Sequence, residues 1–399
     1  MTSLAGRAVL CGIALAAVRL PAQAPTAHVL TRVERAVLQD SAASITVAPI
    51  ARLHADAAAY LGSANPLANG TVFRRARLGV EASIATDWEA EFEMDFAGGG
   101  TEIKDAWVAF TGWRRTVLRA GNFKEPFGLE TMTSSADISL LERAYPVALA
   151  PDRAIGVAIT HWAGPWHVSA GVFGEPAGTP GGDGRDEGRA FAARSTYALH
   201  RTPNSFLQLG ASVARRTPNA ADSGTMRFSS RAETSVSDAR FLDTGDLADV
   251  RSAVRFNGEA LLIAGPLSVQ GEYTRAMVHR SADAAADLEG GYVMVSFFAT
   301  GETRQYLIDE GEPDTIVPRR TSGAWELLAR VSSLDLNDVQ GGIATNVTAG
   351  LTWYANRHVK WMMNYSLVRN GRFARPDIGP AAVPRDSFSI VQTRIALDF

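Results

Sequence analysis

From Ser44 to Phe399 apolar and polar side chains alternate with a period of two, in stretches of roughly ten to fifteen residues, the length and pattern of tilted membrane strands. Helical periodicity is scarce. In the run Glu89 to Phe96, the carboxylates of Glu89, Glu91, Glu93 and Asp95 alternate with Ala90, Phe92, Met94 and Phe96. A helix would spread those acids round its axis, whereas a strand puts them all on one face. The pattern predicts sixteen strands: 44–61, 71–85, 87–97, 101–111, 114–123, 153–161, 165–175, 188–200, 204–215, 248–264, 266–279, 290–303, 321–333, 344–355, 358–369 and 387–399.

The links between them alternate short and long, as in barrels with tight periplasmic turns and outer loops free to grow. Thr86-Asp87, Ala163-Gly164, Gly265-Pro266 and Asn356-Arg357 are tight; 124–152, 176–187, 216–247, 280–289 and 370–386 are long. The stretch 304–320 is long but falls among the tight links, which marks a plug or a periplasmic extension. Trp88, Trp113, Trp162, Trp166, Trp353 and Trp361 lie beside the tight turns, where an aromatic girdle meets lipid headgroups. The strictly alternating end, Val391 to Phe399, resembles the terminal strand by which such barrels engage their assembly machinery, with Phe399 as the signal.

Beyond the first two dozen residues no apolar run is long enough to cross a bilayer as a helix. Arg7, the apolar run Ala8 to Val18 and Ala22-Gln23-Ala24 read as a secretory signal peptide spanning 1–24, cleaved after Ala24. Residues 25–43 then form a short N-terminal segment, and 44–399 the barrel. The only cysteine, Cys11, falls in the signal, so the mature chain carries no thiol into an oxidising compartment. Leu10 before Cys11 makes a lipoprotein anchor a poor alternative. The formal net charge of −3 becomes −5 once Arg7 and Arg19 are removed, so any preference for anions has to come from where charges sit. Nothing in this balance suits nucleic acid. Of the 39 cationic residues only Lys104, Lys124 and Lys360 are lysines.

Several stretches resemble the phosphate-selective porin O/P family: Phe73 to Val80, Ile103 to Trp107, Gly121 to Gly128, Thr133-Ser134-Ser135, Leu141-Glu142-Arg143, Gly323 to Leu327 and Gly350 to Tyr354. The resemblance implies an outer-membrane channel of a Gram-negative bacterium. Its fold would be all-β, a transmembrane antiparallel barrel of about sixteen strands assembled as a homotrimer, with an inward-folded third loop and a file of arginines down the pore. It also implies a constriction built on Asp105 and Ser135. Where the family's phosphate channels place a lysine after the serine motif, this chain has Ala136.

Strand parity sorts the arginines independently. Ala76, Leu78, Val80, Ala82 and Ile84 share an apolar face that must meet lipid, so Arg75, Arg77, Glu81 and Ser83 face the lumen. The same sorting turns Arg52, Arg119, Arg194, Arg251, Arg255, Arg330 and Arg394 inward. A guanidinium stays charged and binds phosphate or carboxylate oxygens in pairs, which suits an anion path. A water-filled lumen also needs polar walls, and the acids of 89–95 are placed to neutralise these arginines. The third outer link adds Lys124, Ser134, Ser135 and Arg143, with Lys124 and Glu125 able to pair as an anchor. His161 and His167 flank one turn without a carboxylate or thiol to complete a metal site. No nucleophile elbow, zinc-protease or P-loop motif occurs, and no catalytic residue, cofactor or metal is expected. The reading is a passive diffusion channel for phosphate or similar small anions. A non-selective porin, a barrel plugged shut or an outer-membrane hydrolase stand as alternatives.

Overall fold

The computed structural model describes residues 38–40, 45–179, 187–219 and 224–399. The expected signal peptide and most of 25–43 lie outside the described residues. Sixteen strands form the barrel wall: β1 Ile45–Leu61, β2 Gly70–Ile84, β3 Trp88–Asp95, β4 Glu102–Trp113, β5 Thr116–Lys124, β6 Arg153–Ala163, β7 Trp166–Phe173, β8 Arg189–Thr202, β9 Ser205–Thr217, β10 Val250–Ala264, β11 Leu267–Arg280, β12 Ala286–Phe298, β13 Ala324–Asp335, β14 Ile343–Tyr354, β15 Val359–Asn370 and β16 Ser387–Asp398. Each pairs antiparallel with its neighbour in sequence, and β1 pairs with β16 from Arg52↔Asp398 to Leu61↔Ser389. The sheet therefore closes. Closure leaves no edge whose backbone groups would have to face lipid unpaired. The short strand Leu38–Asp40 adds to the first residues of β1.

Alternation decides which side chains meet lipid. On β2, Leu78 is 60% exposed and Arg75 2%. On β3, Trp88 and Phe92 are exposed while Glu93 and Asp95 are buried on the lumen side. Trp88, Trp113, Trp166 and Trp325 lie exposed at the tight-turn end, with Trp325 stacked on Trp353 and Trp166 edge-on to Tyr197. Trp162 departs from the expected girdle. It shares the inward parity of Ala154 and Ala158 and packs on an interior cluster with Phe206 and Leu261.

Strand bounds match the sequence pattern within a few residues except at β12, expected at 290–303 and found at 286–298. The outer link before it shrinks to 281–285. There the alternation is inverted: Asp287 and Glu289 face outward, bonded to Arg275 and Tyr273 of β11, while Ala286 and Leu288 pack inward. The inward apolar residues serve loop packing, because the barrel is not empty. Tyr145 and Leu149 of the third outer loop, 125–152, join Phe228 and Leu242 of the loop between β9 and β10 and Leu334 of β13 in a buried cluster inside the wall. At the other end, the connection 299–323 between β12 and β13 also folds inward. Its Ile308 is buried with Leu129 of the third outer loop, Tyr306 stacks on Phe206 at 4.5 Å, and the Ile308 carbonyl sits 2.9 Å from Nδ1 of His167.

Candidate pore constriction

The third outer loop is held across the lumen because most of the wall offers it a partner. Gly128, at φ 66°, brings the backbone so close to Glu272 of β11 that a Cβ there would stand 2.8 Å from the carboxylate. Glu272 thereby accepts from the N–H groups of Leu129 (2.9 Å) and Glu130 (2.7 Å), and also from Asn257 and the Tyr292 hydroxyl. Arg330 of β13 pairs with Glu130 at 3.3 Å and with Glu233 at 2.8 Å. Arg394 of β16 clasps Asp56 of β1 at 2.6 Å and Glu142 of the loop at 2.7 Å. Arg74 of β2 reaches Glu142 at 2.8 Å from the other side. Lys360 of β15 donates to the carbonyls of Ala136 and Ile138, and the inner connection adds Arg304 to Ser139 and Thr315 to Asp137.

Burial pushes the carboxyls of Glu130 and Asp137 up, against the pull of Arg330 and Lys360 respectively. Burial acts on Glu142 too, but the guanidinium groups of Arg74, Arg394 and Arg75 outweigh it and hold that carboxyl well below the usual range.

Opposite this packed side, the loop's Ser134 and Ser135 face β1 to β6. Nη1 of Arg52 donates to Ser135 Oγ at 3.0 Å and Ser134 Oγ at 3.4 Å, while its Nε lies 3.3 Å from Glu93. Arg77 pairs with Asp95 (2.8 Å) and Glu93 (3.1 Å). Asp105 of β4 accepts a forked pair of bonds from Arg153. Arg119 of β5 lies over the Trp107 ring at 4.1 Å. The side chains of Arg52 (19% exposed) and Arg153 (16%) are open to the lumen, whereas Arg330 and Arg194 are at 1%. These exposures point to a passage between the loop and this wall.

Of the sequence-derived residues, Arg52, Asp105, Ser134 and Ser135 come together here, with Arg77 and Arg119 adjoining. Lys124 is close by but serves as a brace: its Nζ donates to the carbonyls of Met132 (2.8 Å) and Thr133 (3.2 Å). It does not pair with Glu125, which takes Arg216 at 2.6 Å. Arg143 likewise bonds the carbonyls of Glu130 and Thr133. Arg194, bound to Glu259 through two bonds, lies under the inner connection, while Arg330 and Arg394 are locked in the packed side. Arg75 bonds His54 at 3.2 Å and Arg255 lies over Phe228 at 5.6 Å; among the described residues neither has a carboxylate partner.

Arg251 does not face the lumen, contrary to its parity. It sits in a β-bulge between Val250 and Ser252, is exposed, and bonds Ser281 of an outer link. A bulge inserts one residue and breaks the parity that grouped Arg251 with Arg255. His161 and His167 point to opposite faces, the first to Thr116 and the second to Ile308. Parity also hid Arg153, which it groups with the exposed Ile155 and Val157. As the first residue of β6, its side chain can turn back to Asp105.

Comparison with known proteins follows the same lines. A family model described as "Phosphate-selective porin O and P" matches residues 49–399. Porin O of Pseudomonas aeruginosa is 26% identical over 337 residues, covering 73% of this chain and 75% of that protein. A protein of Caulobacter vibrioides described as uncharacterised is 29% identical over 318 residues, covering 76% of this chain; the chain spans 63% of that relative's length. The solved anion-selective porin of Comamonas acidovorans superposes with a TM-score of 0.55 at 13% identity, covering 89% of this chain and 100% of that one, a likeness of fold.

Proposed function

This chain belongs to the phosphate-selective porin O and P family of outer-membrane porins, and from that premise we propose that it is a passive channel with a mild preference for small anions. One observation carries the reading. Most lumen arginines are neutralised by carboxylates in direct contact, but Arg75 and Arg255 are not, which leaves positive charge within a low-dielectric wall. Such groups favour anions, while the paired ones contribute little field.

Strong phosphate binding is not expected. The position after Ser135 is Ala136, and the nearby cation, Lys360, is committed to the backbone carbonyls of Ala136 and Ile138. A partly dehydrated phosphate there lacks a charge-assisted hydrogen bond, worth about one to two powers of ten in affinity. Single-channel recording in a salt gradient, followed by phosphate titration, tests both halves. We expect an anion-side reversal potential and block only at millimolar phosphate, tightened by Ala136→Lys. Neutralising Arg75 together with Arg77 shifts the reversal potential toward cations. Block at micromolar phosphate in the unaltered protein refutes the weak-site claim; a cation-side reversal potential refutes the anion path. Absence of any conductance points to a plugged structural barrel. The family premise also supports a homotrimer, to be read from native mass in detergent.

A further inference from the structure

We infer that Glu91 is the residue that sets how strongly this channel discriminates between anions and cations, an inference that rests on the channel reading above. Glu91 lies on the lumen face of β3, since its neighbours Phe92 and Trp88 are exposed on the other face. In register it stands between Glu81 on β2 and Trp107 on β4. A carboxylate oxygen of Glu91 lies within 4.8 Å of oxygens from both Glu93 and Asp105. Those two acids are held by guanidinium groups: Glu93 by Arg52 and Arg77, Asp105 by Arg153. Glu91 is the exception. Among the described residues it makes no hydrogen bond and no ion pair, and it is half-buried, accessible from the lumen beside the Arg52–Ser135 contact.

The local charge count gives that exception its consequence. Arg52, Arg77, Arg119, Arg153 and Lys124 supply five positive charges, and Glu81, Glu93, Asp95 and Asp105 supply four negative ones. Glu91 brings the sum to zero. It does so from a position where no guanidinium among the described residues bonds it, so a permeating ion at the constriction meets its field. Removing the charge leaves a net positive narrowing without breaking any salt bridge. That separates Glu91 from Glu93 and Asp105, whose loss would also free an arginine.

The test is the anion-to-cation permeability ratio from reversal potentials in a potassium chloride gradient. Glu91→Gln raises the ratio about five-fold, from one unit charge acting at several ångströms in an aqueous passage. Glu91→Asp leaves it near the starting value. A cysteine variant guards against misfolding, because the chain's one cysteine, Cys11, lies in the segment expected to be removed. Glu91→Cys channels already inserted in a bilayer are treated with a sulfonate-bearing or an ammonium-bearing thiol reagent. The sulfonate lowers the ratio toward that of the unaltered protein and the ammonium raises it further. Equal ratios for Glu91→Gln and the unaltered protein, or the same shift from both reagents, overturn the assignment of Glu91. A cation-preferring unaltered channel in which Glu91→Gln still shifts toward anions overturns the anion-channel reading and leaves this assignment standing.

Discussion

The two sides of the lumen are written in the same alternating pattern and are put to different uses. Along β9 to β14, inward polar groups end on the backbone and carboxylates of the third outer loop: Ser212, Glu272, Arg330 and Thr352 each hold it. Among the described residues along β1 to β6, Asp105 pairs with Arg153 and Arg52 with Glu93 within the wall, Glu91 stands alone, and of these only Arg52 reaches Ser134 and Ser135 of the loop at the constriction. The difference teaches that polarity on an inward face is not itself a functional signal. What separates anchor from pore lining is the partner: mostly the loop on one side, mostly the wall's own charges on the other.

Substitutions should expose the contrast, and the largest effect belongs to the packed side. Glu272→Leu strands the N–H groups of Leu129 and Glu130 as well as Asn257 and Tyr292. It should cost about 3–5 kcal/mol of stability, seen as a lowered unfolding midpoint in detergent, and widen the channel as the loop lifts.

Glu142→Gln should come next, with a cost of about 1–3 kcal/mol at neutral pH. Because Glu142 is held below the usual carboxylate range, its contribution is complete above the unfolded pKa of about 4.3 and is lost as pH falls through the lower folded value. Stability curves of the variant and the unaltered protein should therefore converge in acid; a gap that stays constant with pH would argue against the Arg74–Glu142–Arg394 clasp.

Arg153→Gln, on the open side, should do the reverse of Glu272→Leu. It should cost about 1–2 kcal/mol, because the buried Asp105 carboxylate loses its forked partner, while the reversal potential moves toward cations. Smallest of all, Ser134→Ala removes two long contacts, from Arg52 and from the Ala136 N–H, and should change stability by less than about 1 kcal/mol with conductance nearly unaltered. If Arg153→Gln unfolded the barrel, or Glu272→Leu were silent, the division between the two sides would fail.

Much of the wall is legible without a structure because parity is a local property: adjacent residues alone decide whether Leu78 faces lipid and Arg77 the lumen. Parity fails where the chain gains a residue, as at Arg251, or where a strand begins, as at Arg153. It also fails beyond the lipid, where Asp287 and Glu289 can face outward because water, not hydrocarbon, surrounds them. The roles of inward groups are another matter. Lys124, Lys360 and Arg394 hold backbone or carboxylate oxygens brought in by chain folding, and no spacing along the sequence encodes those meetings. The inward fold of 299–323 is of this kind: its length marked it as unusual, but only Ile308 against Leu129 shows what the length is for.

The seam between β1 and β16 carries a cost in time. Its contacts, His54 with Asp398 and Arg394 with Asp56, join residues 344 and 338 positions apart. Backbone bonds between Ala51 and Phe399 finish it. Loop-closure entropy grows only slowly with length, about 0.6 kcal/mol per doubling, so the finished seam is thermodynamically affordable. The route to it is slow, because contacts so distant in sequence bring their reward only after nearly every hairpin is in place. Until then both terminal strands have unsatisfied backbone and a ready affinity for any other strand they meet. The chain is thus most exposed to misassociation in the interval just before closure, which is the interval an assembly factor gripping the last strand would shorten.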